Sequence, residues 1–285
     1  MTIKRVGIIG SGTMGSGIAE VAAKAGFEVM LRSRSRAGCD GMQAGLEKSL
    51  ARQVDKGRLS EADRDAALSL VTTTTELDDL AECDLVIESV VEDLAVKKEL
   101  FGQLSGICGE NAILATNTST LAVTEMALAT SRPGKVCGVH FFNPAPAMAL
   151  VEIVRPDTAD EDTIAAAVGF AQACGKTPVE VKDAAGFVVN ALLFPYLNVA
   201  VRLLEREVAT AEDIDTAMKA GANMAMGPLA LLDLVGLDVS VAILDALHAD
   251  NPDPLLEPAD TLRRLVSEGH LGRKTGQGFF EYAKR

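Results

Sequence analysis

Two periods of apolar residues alternate along the first two thirds of the chain. Short apolar runs bounded by turn residues occur at 4–9 and 27–31, and between them 13–25 carries apolar residues at helical spacing, which predicts a βαβ unit. The alternation continues with strands starting near 71 and at 84–88, 112–116, 136–141 and 150–154, helices near 92–105 and 161–174, and a last strand at Val179-Glu180-Val181. Strands alternating with helices imply an α/β fold: a Rossmann-like, doubly wound, mostly parallel sheet.

Two stretches depart from this rhythm. Residues 36–68 separate the second strand from the third, and they read as an inserted helical hairpin, the second helix capped by Ser60 with Asp63 three residues on. After Lys182-Asp183-Ala184-Ala185-Gly186 no further strand pattern follows, and helices are expected at 187–206, 211–220, 228–248 and 259–268. The expected organisation is a nucleotide-binding domain over 1–184 and an all-helical domain over 185–285.

Composition narrows the partners. A formal net charge of −13 argues against nucleic acid and anionic membranes, whose phosphates need clustered Lys and Arg. Two local basic clusters stand against that background, Arg32/Arg34/Arg36 and Lys48/Arg52/Lys56/Arg58, either as solvated surface or as holders of an anionic ligand. Five cysteines with no C-x-x-C spacing suggest neither a disulfide framework nor a zinc site and fit a reducing compartment, so a cytoplasmic protein is expected. The chain enters its first strand at once, so no signal peptide is expected, and the apolar stretch 187–204 is broken by Asn190, Pro195, Asn198 and Arg202, as suits a buried helix.

The first chemistry lies in Gly10-Ser11-Gly12-Thr13-Met14-Gly15, a G-x-G-x-x-G after a strand and opening a helix. The first glycine makes the tight turn, the second admits a pyrophosphate, the third allows helix and strand to pack closely, and the free N–H groups of the helix start favour negative charge. NAD enzymes place an acid at the end of the second strand to hold the ribose 2′-hydroxyl. Here that position is Ser33, within Arg32-Ser33-Arg34. A carboxylate repels a 2′-phosphate, whereas Ser and Arg can hydrogen-bond it, so NADP(H) is expected and NAD(H) is the alternative. The two arginines alternate along an extended segment, which points one of them, Arg34, at the cofactor.

Hydride transfer to or from an alcohol without a metal needs a positioned base, an orienting group and donors for the substrate oxygens. Of three histidines only His140, in Val139-His140-Phe141-Phe142-Asn143-Pro144, sits at the end of a strand, where ligands of such sheets bind; His248 and His270 read as bystanders. Taken singly, the other candidates have plain readings too: Glu152 as an outward strand residue, Ser119 as the N-cap of a helix from Leu121, Asn190 as a cap near Phe187.

Together these residues resemble the 3-hydroxyacyl-CoA dehydrogenases. The resemblance spans nearly the whole chain and rests on Gly10–Gly15, Val91-Glu92 followed by Lys97, Asn117-Thr118-Ser119, His140–Pro144, Leu150-Val151-Glu152, Asp183–Asn190 and Gly272-Arg273-Lys274-Thr275-Gly276. It implies His140 as general base, Glu152 as its orienting carboxylate, and Ser119 and Asn190 on the substrate oxygens. It also implies Glu92, Lys97, Asn117, Asn143 and Lys274 around the cofactor, Ser49 and Lys56 on the CoA moiety of an acyl-CoA substrate, and a homodimer built through the helical domain. The chain departs from the family at Ser33 and at Met224-Ala225, where relatives commonly carry an aromatic residue and a proline. Three other readings remain open: a β-hydroxyacid dehydrogenase, which would need a lysine four residues before Asn190, where Gly186 stands; a structural homologue without turnover, like lens lambda-crystallin; and a cofactor-binding regulator without catalysis.

Overall fold

A computed structural model describes residues 2–283. The chain forms two compact units that meet in sequence between Asp183 and Ala184.

The first unit is one eight-stranded sheet: β1 (Arg5–Ile9), β2 (Glu28–Arg32), β3 (Val71–Thr74), β4 (Leu85–Glu88), β5 (Ile113–Thr116), β6 (Val136–Phe141), β7 (Leu150–Arg155) and β8 (Thr177–Lys182). Their spatial order is β3-β2-β1-β4-β5-β6-β7-β8, and every neighbouring pair is parallel except the antiparallel β6 and β7. Every residue of β4, β5 and β6 is buried, which is why these segments read as continuous apolar runs rather than alternating ones. The order reverses between β1 and β4, and the crevice beyond their carboxyl ends is where open α/β sheets take their ligands.

The helices of this unit are α1 (Thr13–Lys24), α2 (Arg36–Asp55), α3 (Glu61–Ser69), α4 (Leu94–Ile107), α5 (Val123–Ala127) and α6 (Glu161–Ala173). Helices α2 and α3 are the inserted hairpin; Ser35 caps the first by accepting from Gly38 N, and Ser60 caps the second by accepting from Asp63 N. Met42, Leu46 and Leu50, one helical stripe of α2, join the core beneath α1. The short α5 starts at Val123, two residues after the helix expected from Leu121, and buries Val123, Met126 and Ala127.

The second unit is helical: α7 (Val189–Glu205), α8 (Ala211–Gly221), α9 (Pro228–Val235), α10 (Leu237–Asp250) and α11 (Asp260–Ser267). The expected single helix over 228–248 is two helices. Gly236 divides them at φ 106°, a conformation that ends a right-handed helix and that a side chain would strain. Around Leu197, Leu229, Leu232, Leu244 and Leu262 this unit has its own core. Among the described residues no helix is long and apolar enough to cross a membrane.

Candidate active site

The glycine loop joins β1 to α1. Gly10 has φ 130°, and a Cβ there would lie 2.2 Å from Ser89 O. A Cβ on Gly15 would lie 2.1 Å from Gly10 O, so a methyl group at Gly15 would push α1 off the loop, and one at Gly10 would push the loop off the chain after β4. Gly12 differs: its Cβ would meet nothing within 4 Å. That open space lies before α1, whose N-cap is Gly12 and whose first turn has no acid, so the free N–H groups face a hollow suited to an anion.

A cleft of about 510 Å³ adjoins the loop, lined by Gly10, Gly12, Arg32, Ser33, Arg34 and Val91 among others. Ser33 is buried and its hydroxyl approaches Ser35 N at 3.5 Å. Both arginines line the cleft. Arg32 is partly buried with its Nε donating to Thr75 O at 3.2 Å, and Arg34 is exposed. Burial and then the neighbouring Arg34 charge pull the Arg32 guanidinium below its usual pKa. A second cleft, of about 410 Å³, lies between the loop, the α2 face and the turn after β6; Thr13, Glu20, Ser49 and Asn143 line it. There Ser49 Oγ donates to Glu20 Oε2 at 2.5 Å, while Lys56 stands exposed at the C-cap of α2. A third hollow, of about 690 Å³, opens at the other end of the strands and carries Glu28, Asp78, Asp79 and Glu82; its acidity and its position at the amino ends of strands set it apart from the ligand crevice.

Register brings the titratable pair together. His140 and Glu152 are direct partners in the antiparallel β6–β7 ladder, so their side chains emerge on one face. His140 Nδ1 lies 2.8 Å from Glu152 Oε2, with the two residues 4% and 1% exposed. A one-residue slip would turn Glu152 to the opposite face. Because a carboxylate can only accept, Nδ1 carries the proton of the neutral ring and Nε2 is left as acceptor. Ser119 Oγ lies 3.2 Å from Nε2, completing a Ser–His–Glu line. The Phe142 ring packs on the imidazole with centroids 4.5 Å apart.

The plain readings of Ser119 and Glu152 therefore fail. No helix begins at Leu121, and it is Thr118 Oγ1 that accepts from Leu121 N (3.0 Å). The loop after β5 is held from two sides. Asn117 Oδ1 accepts from Phe141 N at 2.7 Å, next to His140 in the chain, and Glu92 Oε1 accepts from Ser119 N at 2.9 Å and from the Thr118 hydroxyl. Burial works to raise the Glu92 carboxyl, but the Lys97 ammonium and the Thr118 hydroxyl outweigh it and hold it below the usual carboxylate range. Lys97 is 1% exposed and sits between Glu92 Oε2 (3.0 Å) and Glu88 Oε1 (2.8 Å), behind the loop. Glu88 and Thr116 lie outside the motifs that carry the resemblance, and Thr118 enters it only as the middle of Asn117-Thr118-Ser119. An acid closing an otherwise apolar strand, Leu85-Val86-Ile87-Glu88, was the available signal.

Two candidates belong to the second unit. Asn190 lies in the first turn of α7, which starts at Val189 rather than Phe187, and is buried. Lys274 Nζ pairs with Asp238 at 2.5 and 2.7 Å, beside the start of α10. Gly186 has φ 70°, and a Cβ there would meet Leu247 at 2.7 Å, so a catalytic lysine would not fit that position. His248 Nδ1 lies 3.1 Å from Asp253 O and His270 3.4 Å from Glu268, both ordinary structural contacts.

Residues 5–184 match the model of the 3-hydroxyacyl-CoA dehydrogenase NAD binding domain, and residues 186–282 match that of the 3-hydroxyacyl-CoA dehydrogenase C-terminal domain. A 3-hydroxybutyryl-CoA dehydrogenase of Mycobacterium tuberculosis is 47% identical over 98% of this chain and 99% of its own length. One from Clostridioides difficile is 45% identical over 98% and 100%. The crystal structure of (S)-3-hydroxybutyryl-CoA dehydrogenase from Ralstonia eutropha superposes with a TM-score of 0.96 at 42% identity, covering 99% of this chain and 100% of that one. From its glycine loop to its helical unit, the chain belongs to the 3-hydroxyacyl-CoA dehydrogenase family.

Proposed function

We propose that this protein interconverts 3-oxoacyl-CoA and (S)-3-hydroxyacyl-CoA, with acetoacetyl-CoA and 3-hydroxybutyryl-CoA as the short-chain pair, and that it prefers NADP(H) to NAD(H). The observation that carries the reading is the Ser119–His140–Glu152 line, with its contacts of 3.2 and 2.8 Å on a buried strand pair.

His140 Nε2 takes the hydroxyl proton when the alcohol is oxidised and returns it to the oxygen when the ketone is reduced. Glu152 holds the ring with Nε2 outward and stabilises the imidazolium formed when the proton arrives. Ser119 Oγ, beside Nε2, donates to the same substrate oxygen. The nicotinamide, when bound, supplies or accepts the hydride.

A dinucleotide fits the residues present: the open space at Gly12 and the bare start of α1 suit a pyrophosphate at Gly10, Gly12, Thr13, Met14 and Gly15. Ser33 and Arg34 receive the 2′-phosphate in this reading, with Arg32 beside them. Arg32 and Arg34 line one cleft, with Glu99 the acid in its lining, and a dianion placed between the two guanidinium groups relieves their mutual repulsion. Glu92, Asn117 and Asn143 border the remaining cofactor, Lys97 supports Glu92 from behind, and Ser49 and Lys56 serve the CoA end. The roles of Asn190 and Lys274 rest on the resemblance alone. The intact His140–Glu152 pair speaks against a structural homologue that has no need of it. A cytoplasmic homodimer built through the helical unit belongs to the same reading, and sedimentation tests the dimer.

The test is acetoacetyl-CoA reduction followed with NADPH and NADH in parallel. Turnover with kcat/KM higher for NADPH is expected. No turnover with either cofactor overturns the dehydrogenase reading, and a higher value for NADH overturns the cofactor preference alone.

A further inference from the structure

Behind the Ser–His–Glu line lies a carboxylate that the proposed chemistry does not touch. Glu88, at the end of β4, is fully buried and receives hydrogen bonds from three separate pieces of the fold. Lys97 Nζ of α4 donates to both its oxygens, at 2.8 and 3.1 Å. Thr116 Oγ1, at the end of β5, donates to Oε2 at 2.9 Å, and Val90 N, in the loop after β4, donates to Oε1 at 2.6 Å. Two of these partners lead on toward the catalytic loop. Lys97 grips Glu92, which accepts from Ser119 N, and Thr116 Oγ1 accepts from Thr118 N at 3.1 Å. Glu88 O also accepts from Asn117 N at 2.8 Å.

We propose that Glu88 is a positioning residue for Ser119: through Lys97 and Glu92 on one side, and through Thr116 on the other, it fixes the Asn117–Thr120 backbone so that the Ser119 hydroxyl stands against His140 Nε2. A buried carboxylate suits this task because it is the one group able to hold an ammonium, a hydroxyl and a backbone N–H at once, in a region where water cannot substitute. Without its charge, Lys97 keeps only the Glu92 carboxylate, which is 40% exposed, and the buried ammonium is left short of a partner. The Glu92 and Thr116 contacts that reach the loop then lose the carboxylate that holds them in place. The claim about turnover rests on the dehydrogenase reading; the claim about the loop does not.

The test compares wild type, Glu88→Gln and Thr116→Val by steady-state kinetics with acetoacetyl-CoA and by amide hydrogen exchange. In Glu88→Gln, kcat falls by about 10- to 100-fold, as expected for a donor displaced by part of an ångström. Both KM values stay within about threefold, because uniform binding is not what is lost. Amides over 118–121 exchange at least about tenfold faster, while those of β7 and β8 keep their protection. Thr116→Val, which removes only the hydroxyl bridge, shows the same local loosening with a smaller fall in kcat and decides the matter if Glu88→Gln does not fold. Unchanged exchange at 118–121 in the folded variants overturns the proposal, as does loosening spread equally over all strands, or a loosened loop with kcat intact. Should wild type itself show no turnover, the dehydrogenase reading fails, and the exchange data still decide whether Glu88 holds the loop.

Discussion

Exchanging Glu152 for glutamine isolates what the carboxylate does for His140. The change is nearly isosteric, and the site is a β6–β7 ladder position with both partners buried, so the fold has little reason to move. What is lost is charge at 2.8 Å from Nδ1. A hydrogen bond to a charged group contributes about 1.5–3 kcal/mol, and here the full value is realised only when the ring carries a second proton, at the transition state. That difference corresponds to a loss of about 10- to 150-fold in kcat. His140→Ala, which removes the acid/base itself, should lose about 10²–10⁴-fold, and the double variant should be little worse than His140→Ala, since an orienting group has nothing left to orient. The assay is acetoacetyl-CoA reduction at saturating cofactor, with thermal midpoints recorded for each variant. If Glu152→Gln keeps more than about half of the wild-type kcat, or if the two losses multiply in the double variant, the two residues act independently and the mechanism derived from their geometry is wrong.

The double change Ser33→Asp with Arg34→Ala should move preference from NADPH toward NADH, because it adds a repulsive charge and removes an attractive one; a charge-assisted contact of about 1.5–3 kcal/mol sets the scale at about 10- to 150-fold in kcat/KM, and an unmoved ratio refutes the assignment. Lys56→Ala should raise the KM for acyl-CoA with kcat nearly intact, since a grip on a remote phosphate is alike in ground and transition states; an unchanged KM, with no effect of salt on wild type, returns the α2 cluster to plain surface. Burial pushes the thiols of Cys83, Cys137 and Cys174 from the usual 9.0 up to about 12. The folded state thus keeps protons that the unfolded chain gives up, and stability should fall as pH rises from about 9 toward 12. A thermal midpoint that holds constant to pH 11 would contradict this.

Much of the fold was legible because it is written in local periods. The strand–helix alternation, the 36–68 insertion and the change to helices after Gly186 are all patterns of nearest and next-nearest turns, and each appears where the sequence put it. The glycine loop was equally readable, since close backbone approach leaves only glycine as an option at Gly10 and Gly15. Gly236 was legible in principle too, but a lone glycine inside an apolar helical stretch does not announce whether it takes a positive φ, and so one helix was expected where two form.

What tertiary structure alone decided is partnership between residues far apart in the chain. Glu152 sits among alternating apolar residues and is indistinguishable in sequence from an outward strand residue; the antiparallel register of β6 and β7 makes it the partner of His140. Ser119 resembles a helix cap until Glu92 and Thr118 are seen to take over the loop's backbone. Glu88 shows in the sequence only as an acid closing an apolar strand; its meaning lies in the donors from β5 and α4, which local spacing does not set. A side chain's direction along its own element is fixed by backbone geometry and can be read from the sequence, whereas what stands opposite depends on register and packing, which are settled by the whole core at once.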